Sequence, residues 1–172
     1  MNKEGFTHTI LDTVRELSKP ESYAVVCHKH KQGEPLPSTA NLGKIIGLIR
    51  EIIFPGYFGN TSLRPETLQH YMGVYLDELY ELLRNEILAG LCFVCDDESG
   101  GKLAEHQSIA GGSALAFIRC LPEIRRKMVN DVKAMFLGDP AAKSYGEVIF
   151  CYPAIRAITN YRIARCMADL EV

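Results

Sequence analysis

The apolar residues of this chain recur every three to four positions along most of its length, and no stretch convincingly alternates apolar with polar side chains. Spacing of that kind gathers side chains on one face of an α-helix, whereas a half-buried strand needs a period of two. The pattern predicts an all-α protein, a bundle-like array of seven or eight helices. No unit repeats at a fixed period and no tract is of low complexity, which argues against a solenoid.

Phe6, Ile10, Leu11, Val14 and Leu17 mark a first helix that Pro20 ends. Tyr23 to Cys27 is strand-like in composition but has no partner strand, so helix or extended arm is preferred. His28 to Pro37 is basic and then rich in Gly and Pro, and reads as a loop. Ser38 or Thr39 can cap a second helix, with Leu42, Ile45, Ile46, Ile49, Ile52 and Ile53 as its buried stripe. Pro55 stops it, and Phe54-Pro-Gly-Tyr-Phe-Gly59 makes a tight aromatic corner expected to pack down over the helix end. Pro65 suits the first position of a third long helix, whose apolar positions run from Leu68 to about Phe93.

Asp96 to Lys102 reads as an acidic loop before a helix from Leu103 through Ile118. Gly111-Gly112 within it marks either a close helix contact or a kink. Pro122 is expected to restart a helix through Phe136, with Gly138 closing it in the left-handed conformation. Ser144-Tyr-Gly-Glu147 fits a capping box for a short helix through Phe150, and Pro153 opens the last helix, with Ile155, Ile158, Tyr161, Ile163 and Met167 apolar. The chain is expected to be one helical domain over 1–172, with 1–37 a loosely attached arm.

Its 172 residues suit one compact domain, and 47% hydrophobic content is enough for an ordinary core. A formal net charge of -2 gives no broad attraction to nucleic acid or anionic lipid, so neither is expected as a partner. No apolar run reaches the roughly 18 residues needed to cross a bilayer, and the first residues do not resemble a signal peptide. The chain therefore reads as cytoplasmic, and its six cysteines as reduced thiols. Cys92 and Cys95 have metal-ligand or redox spacing, and Cys27, His28 and His30 would complete a zinc site. Two core thiols one helical turn apart are expected at the end of such an apolar helix anyway, and no metal is expected. His8, His28, His30, His70 and His106 are scattered, none of them beyond residue 120, and no phosphate loop or nucleophile elbow is present. Asp139, between a helix-ending glycine and a rigid proline, reads on its own as a turn aspartate bonded to nearby amides.

The order Leu-Pro-Glu-Ile-Arg-Arg from Leu121, a helical run to Leu137, Gly138-Asp-Pro-Ala-Ala142, Ser144 to Tyr152 and Pro153 to Arg165 resembles the segment leading into the catalytic domain of serine O-acetyltransferases. Phe54 to Gly59 also resembles the longer bacterial members. The resemblance implies a helical N-terminal domain, with 121–172 leading toward a left-handed parallel β-helix of hexapeptide repeats, and Val172 falls about where that β-helix would begin. It also implies transfer of acetyl from acetyl-CoA to the hydroxyl of L-serine, giving O-acetylserine in cysteine biosynthesis. In the family the histidine base and coenzyme cleft lie in the β-helix between subunits of a trimer. No catalytic residue and no bound cofactor are therefore expected in this chain, and acetyl-CoA is a co-substrate of the full-length family.

By the same resemblance Asp139 sits at the rim of the active site and pairs with the substrate ammonium, a charge-assisted contact. Arg162, on the last helix, is a second substrate-side candidate, placed to meet Asp139 or the adjoining domain. Lys143 and Tyr145 lie nearby without a motif match, and Arg165 stands where the family often has histidine. Self-association through helices and a complex with cysteine synthase are the partners implied. The alternative reading is a non-catalytic helical module for self-association or partner binding; a third is a small zinc or thiol-redox protein built on Cys92 and Cys95.

Overall fold

The computed structural model describes residues 3–26, 35–95 and 102–171. Among them are seven helices and no strand, as the periodicity requires. The chain divides into two compact units, Met1–Glu34 and Pro35–Val172. The first holds α1 (Lys3–Leu17) and the one-turn α2 (Pro20–Tyr23), with Ala24 to Val26 in a turn. Cys27, His28 and His30, and the acidic loop up to Gly101, lie outside the described residues.

The second unit is built around α3 (Thr39–Ile53), α4 (Pro65–Val94), α5 (Leu103–Gly138), α6 (Tyr145–Cys151) and α7 (Pro153–Asp169). Helices α4 and α5 run antiparallel: Cys92 meets His106 at one end, Gly111 faces Tyr80 further along, and Arg125 reaches Met72 at the other end. Helix α3 packs on α4, and α7 on α5. Their common core holds Ile49, Leu79, Leu83, Phe117, Met128 and Val148, each at most 2% exposed.

Helix α3 is held at both ends by residues from other helices. At its start Ser38 caps it, its hydroxyl accepting from Asn41 N at 3.3 Å. Glu86 of α4 accepts there from Ser38 N and from Asn41 Nδ2, both at 2.7 Å. At its end the Arg125 guanidinium donates to the Ile52 carbonyl. An acid at the N-terminus and a base at the C-terminus both complement the helix dipole and serve backbone groups that the helix leaves unpaired. Burial holds Arg125 below the usual arginine range.

Three local expectations are corrected. Pro122 does not restart a helix: α5 runs unbroken for 36 residues with Pro122 inside it. Buried Phe117, Leu121, Ile124 and Met128 lie on both sides of the proline, and their packing outweighs the one hydrogen bond that its ring removes. Gly138 is the last residue of α5 but is not left-handed; among the described glycines only Gly56 (φ 81°) and Gly59 (φ 68°) are. The helix stops because Pro140 forces Asp139 into the extended region (φ -113°, ψ 104°). Leu42 is 47% exposed, so it does not belong to the buried stripe of α3.

The aromatic corner packs down as expected. Phe54 is buried, Phe58 lies edge-on to it at 6.0 Å, and both Tyr57 and Phe58 contact Phe150 of α6. Gly59 suits that corner because its φ of 68° lies in the left-handed region that side chains rarely adopt, and a Cβ would also displace the Glu51 side chain. The glycine pair in α5 is a close contact at one position: a Cβ on Gly111 would lie 3.3 Å from the Tyr80 hydroxyl, while Gly112 faces open space.

Candidate functional site

Asp139 occupies the corner between α5 and α6, and its carboxylate is bonded on both oxygens. Oδ1 accepts from Ala141 N at 2.9 Å, the aspartate turn that the sequence suggests. Oδ2 accepts from the hydroxyl of Tyr152, the residue that separates α6 from α7. Ala142 N closes the turn on the Asp139 carbonyl at 3.1 Å.

Helix α6 brings these two residues together. Ser144 caps it by accepting from Glu147 N at 3.1 Å. Glu147 does not return to Ser144 as a strict capping box would; it accepts from Lys143 N at 2.7 Å, one residue earlier. The first turn is thus tied down at the Asp139 corner, and fully buried Val148 anchors the helix to the core. Seven residues later the chain leaves α6 at Tyr152, whose ring reaches back to Asp139. The Tyr152 hydroxyl bond, reinforced by Ala141 N–H and opposed by partial burial, holds the Asp139 carboxyl below its ordinary range. In return the bond to Asp139 pushes Tyr152 up to about 12.

An aspartate arranged this way is ionised throughout the neutral range and weakly basic. It suits pairing with a cation rather than removing a proton, because a general base works best with a pKa near the working pH. A carboxylate offers about four acceptor positions. Two are filled here, so a donor such as an ammonium can still be received.

Arg162 does not reach Asp139. Its guanidinium forms a two-pronged pair with Asp131 of α5, Nε to Oδ2 and Nη2 to Oδ1, both at 2.9 Å. Side-chain exposures of 25% and 21% make this pair an α5–α7 clamp. Lys143 is exposed, Tyr145 packs against Phe136 with ring centroids 4.6 Å apart and tilted by 54°, and Arg165 pairs with Asp169 one turn on. Sequence reasoning missed Tyr152 and Asp131. The spacing held a signal for Tyr152: a helix of about two turns, capped at the Asp139 corner, returns the chain near its start. No sequence signal pairs Asp131 with Arg162 across 31 positions.

Cys92 is buried at the far end of the α4–α5 hairpin, its Sγ 3.9 Å from His106 Nδ1. Among the described residues no three His, Cys, Asp or Glu side chains are grouped as a metal site, and no helix is long and apolar enough to cross a membrane.

The fold and the corner define a helical domain that presents a fixed carboxylate where two of its helices meet. Comparison with known proteins adds a family. The chain is 38% identical over 141 residues to the plasmid serine acetyltransferase of Synechococcus elongatus, a match covering 79% of this chain and 43% of that protein. Its structure is similar to native serine acetyltransferase 1 from Entamoeba histolytica, with a TM-score of 0.56 and 21% identity over 88% of this chain and 50% of that one. The same Entamoeba protein in complex with L-cysteine matches with a TM-score of 0.56 and 21% identity, over 92% and 49%. At that identity the structures speak for the fold alone. No protein-family model matches. The chain spans less than half the length of the curated relative. It is homologous to serine acetyltransferase over that part, consistent with the helical N-terminal region of such an enzyme.

Proposed function

We propose that this chain is the helical N-terminal part of a serine O-acetyltransferase, an enzyme that transfers acetyl from acetyl-CoA to L-serine and makes O-acetylserine for cysteine synthesis in the cytoplasm. The observation that carries the reading is the Asp139 corner. The Gly-Asp-Pro-Ala-Ala segment that resembles the family's substrate rim holds an ionised, weakly basic carboxylate with acceptor positions to spare. Asp139 receives the ammonium of serine, and Tyr152 and Ala141 keep its carboxylate aimed. Arg162 acts indirectly: clamped to Asp131, it sets the position of α7 against α5.

The base, its orienting carboxylate and the acetyl-CoA cleft belong to the part of the relatives that this chain does not span. By itself the 172-residue chain is expected to bind acetyl-CoA weakly and to turn over serine negligibly. Self-association through its helices, and binding of cysteine synthase by the whole enzyme, complete the reading. Leu137, Phe150 and Tyr161, 80%, 61% and 64% exposed, are among the apolar side chains available for helix contacts.

The test is a chimaera in which residues 1–172 replace the matching part of the Synechococcus enzyme, assayed for serine-dependent release of coenzyme A. Asp139→Asn is expected to raise the KM for serine at least about tenfold, the scale of one charge-assisted bond, with the KM for acetyl-CoA unchanged. An active chimaera indifferent to that substitution would remove the role of Asp139. Serine-dependent release of coenzyme A by the 172-residue chain alone would overturn the division of labour.

A further inference from the structure

Arg50 of α3 and Arg156 of α7 line one hollow of about 370 Å³, walled by Phe54, Phe58, Phe150 and Tyr152. Arginines 15, 84, 126, 162 and 165 each sit against a carboxylate. These two do not. Arg50 donates only to the neutral Asn160 Oδ1, at 3.3 Å, and Arg156 makes no ion pair or hydrogen bond among the described residues. The carboxylates nearest in sequence to the Tyr152 wall pair with neither arginine: Asp139 accepts from Ala141 and Tyr152, and Glu147 from Lys143 N.

Two like charges sharing one partly desolvated hollow repel each other. Burial, and then Arg156, hold Arg50 below the usual arginine range. A cost of this kind is removed when an anion binds between the two groups. A single carboxylate would cancel only one charge. A phosphate dianion cancels both, and its oxygens fit the planar donor fork of guanidinium. The hollow is larger than phosphate needs and falls within the roughly 300–1,000 Å³ of small-molecule sites. Its aromatic walls would stay wet against inorganic phosphate but would cover an apolar body. The first turn of α7, with neither a side-chain cap nor an acidic residue, opens on the same space and adds a favourable field.

We propose that Arg50 and Arg156 form a binding site for a small organic phosphomonoester, the phosphate held by both guanidinium groups and its apolar or aromatic body lying on Phe54, Phe58 and Phe150. Nothing in this requires the acetyl-transfer chemistry.

The experiment titrates the 172-residue chain with phenyl phosphate and with inorganic phosphate at constant ionic strength, followed by calorimetry and by ¹⁵N NMR of the arginine side chains. Phenyl phosphate is expected to bind more tightly than inorganic phosphate and to shift the Arg50 and Arg156 signals. Its affinity should fall about tenfold or more in Arg156→Gln, as expected for one charge-assisted contact. Arg156 is exposed, so this variant should keep its helical circular dichroism; Arg50→Gln is the second arm. Lys127→Gln, whose lysine lines a separate hollow, controls for net charge and should bind normally. Equal affinity for the two probes, unchanged affinity in Arg156→Gln, or an equal loss in Lys127→Gln would overturn the proposal.

Discussion

Replacing Pro122 with alanine should stabilise this protein. Proline inside a helix is less favourable than alanine by about 3 kcal/mol, because it lacks the N–H that would bond to the carbonyl four residues back and its ring crowds that carbonyl. Here that carbonyl belongs to Ile118, well inside the 36-residue α5. The Pro122 side chain is exposed, so alanine gives up little burial. One effect opposes the gain: proline restricts the unfolded chain, worth roughly 0.4–1 kcal/mol. The balance is about 2 kcal/mol, or roughly 4–8 °C in Tm for a protein of this size. Urea unfolding followed by circular dichroism at 222 nm measures it, with the denaturant slope unchanged. At the first position of a helix proline costs almost nothing, so an unchanged or lowered stability would mean that α5 is two helices meeting at Pro122 and would refute the reasoning.

Gly112→Ala should add about 1 kcal/mol, since its Cβ meets open space, whereas Gly111→Ala should gain less because of the Tyr80 hydroxyl; in a Tyr80→Phe background the two gains should converge when measured by urea unfolding. Glu86→Ala should cost about 1–2 kcal/mol by releasing Ser38 N and Asn41 Nδ2 together, and thermal unfolding should show Glu86→Gln losing less. Two pH effects belong to the Asp139–Tyr152 bond. Because the folded carboxyl is lowered, its contribution is present above the ordinary aspartate pKa and is lost as pH falls through the depressed value; because the folded phenol is raised, its contribution is present below the ordinary tyrosine pKa and is lost as pH rises from about 10 to about 12. Carboxyl ¹³C NMR should place Asp139 below the usual range and return it upward in Tyr152→Phe, while that variant should remove the last tyrosinate absorbance at 295 nm to appear.

Helix content, helix order and most helix ends can be read from the sequence because they rest on interactions within a few residues. Ser38 and Ser144 cap their helices through amides three positions ahead, and Pro65 and Pro153 begin helices as their missing N–H groups allow. The Asp139 turn is local in the same way. Even the apolar stripes are legible, since spacing sets which residues share a face, though not whether a neighbour covers that face at Leu42. Only the tertiary structure decided what depends on partners far along the chain. It passed α5 through Pro122 because core packing on both sides outweighed one lost hydrogen bond. It bracketed α3 with Glu86 and Arg125, brought Tyr152 onto Asp139, and gave Arg162 to Asp131. It also left Arg50 and Arg156 facing each other without a carboxylate. Charge pairing acts through space, so sequence spacing carries no record of it beyond a turn or two of helix.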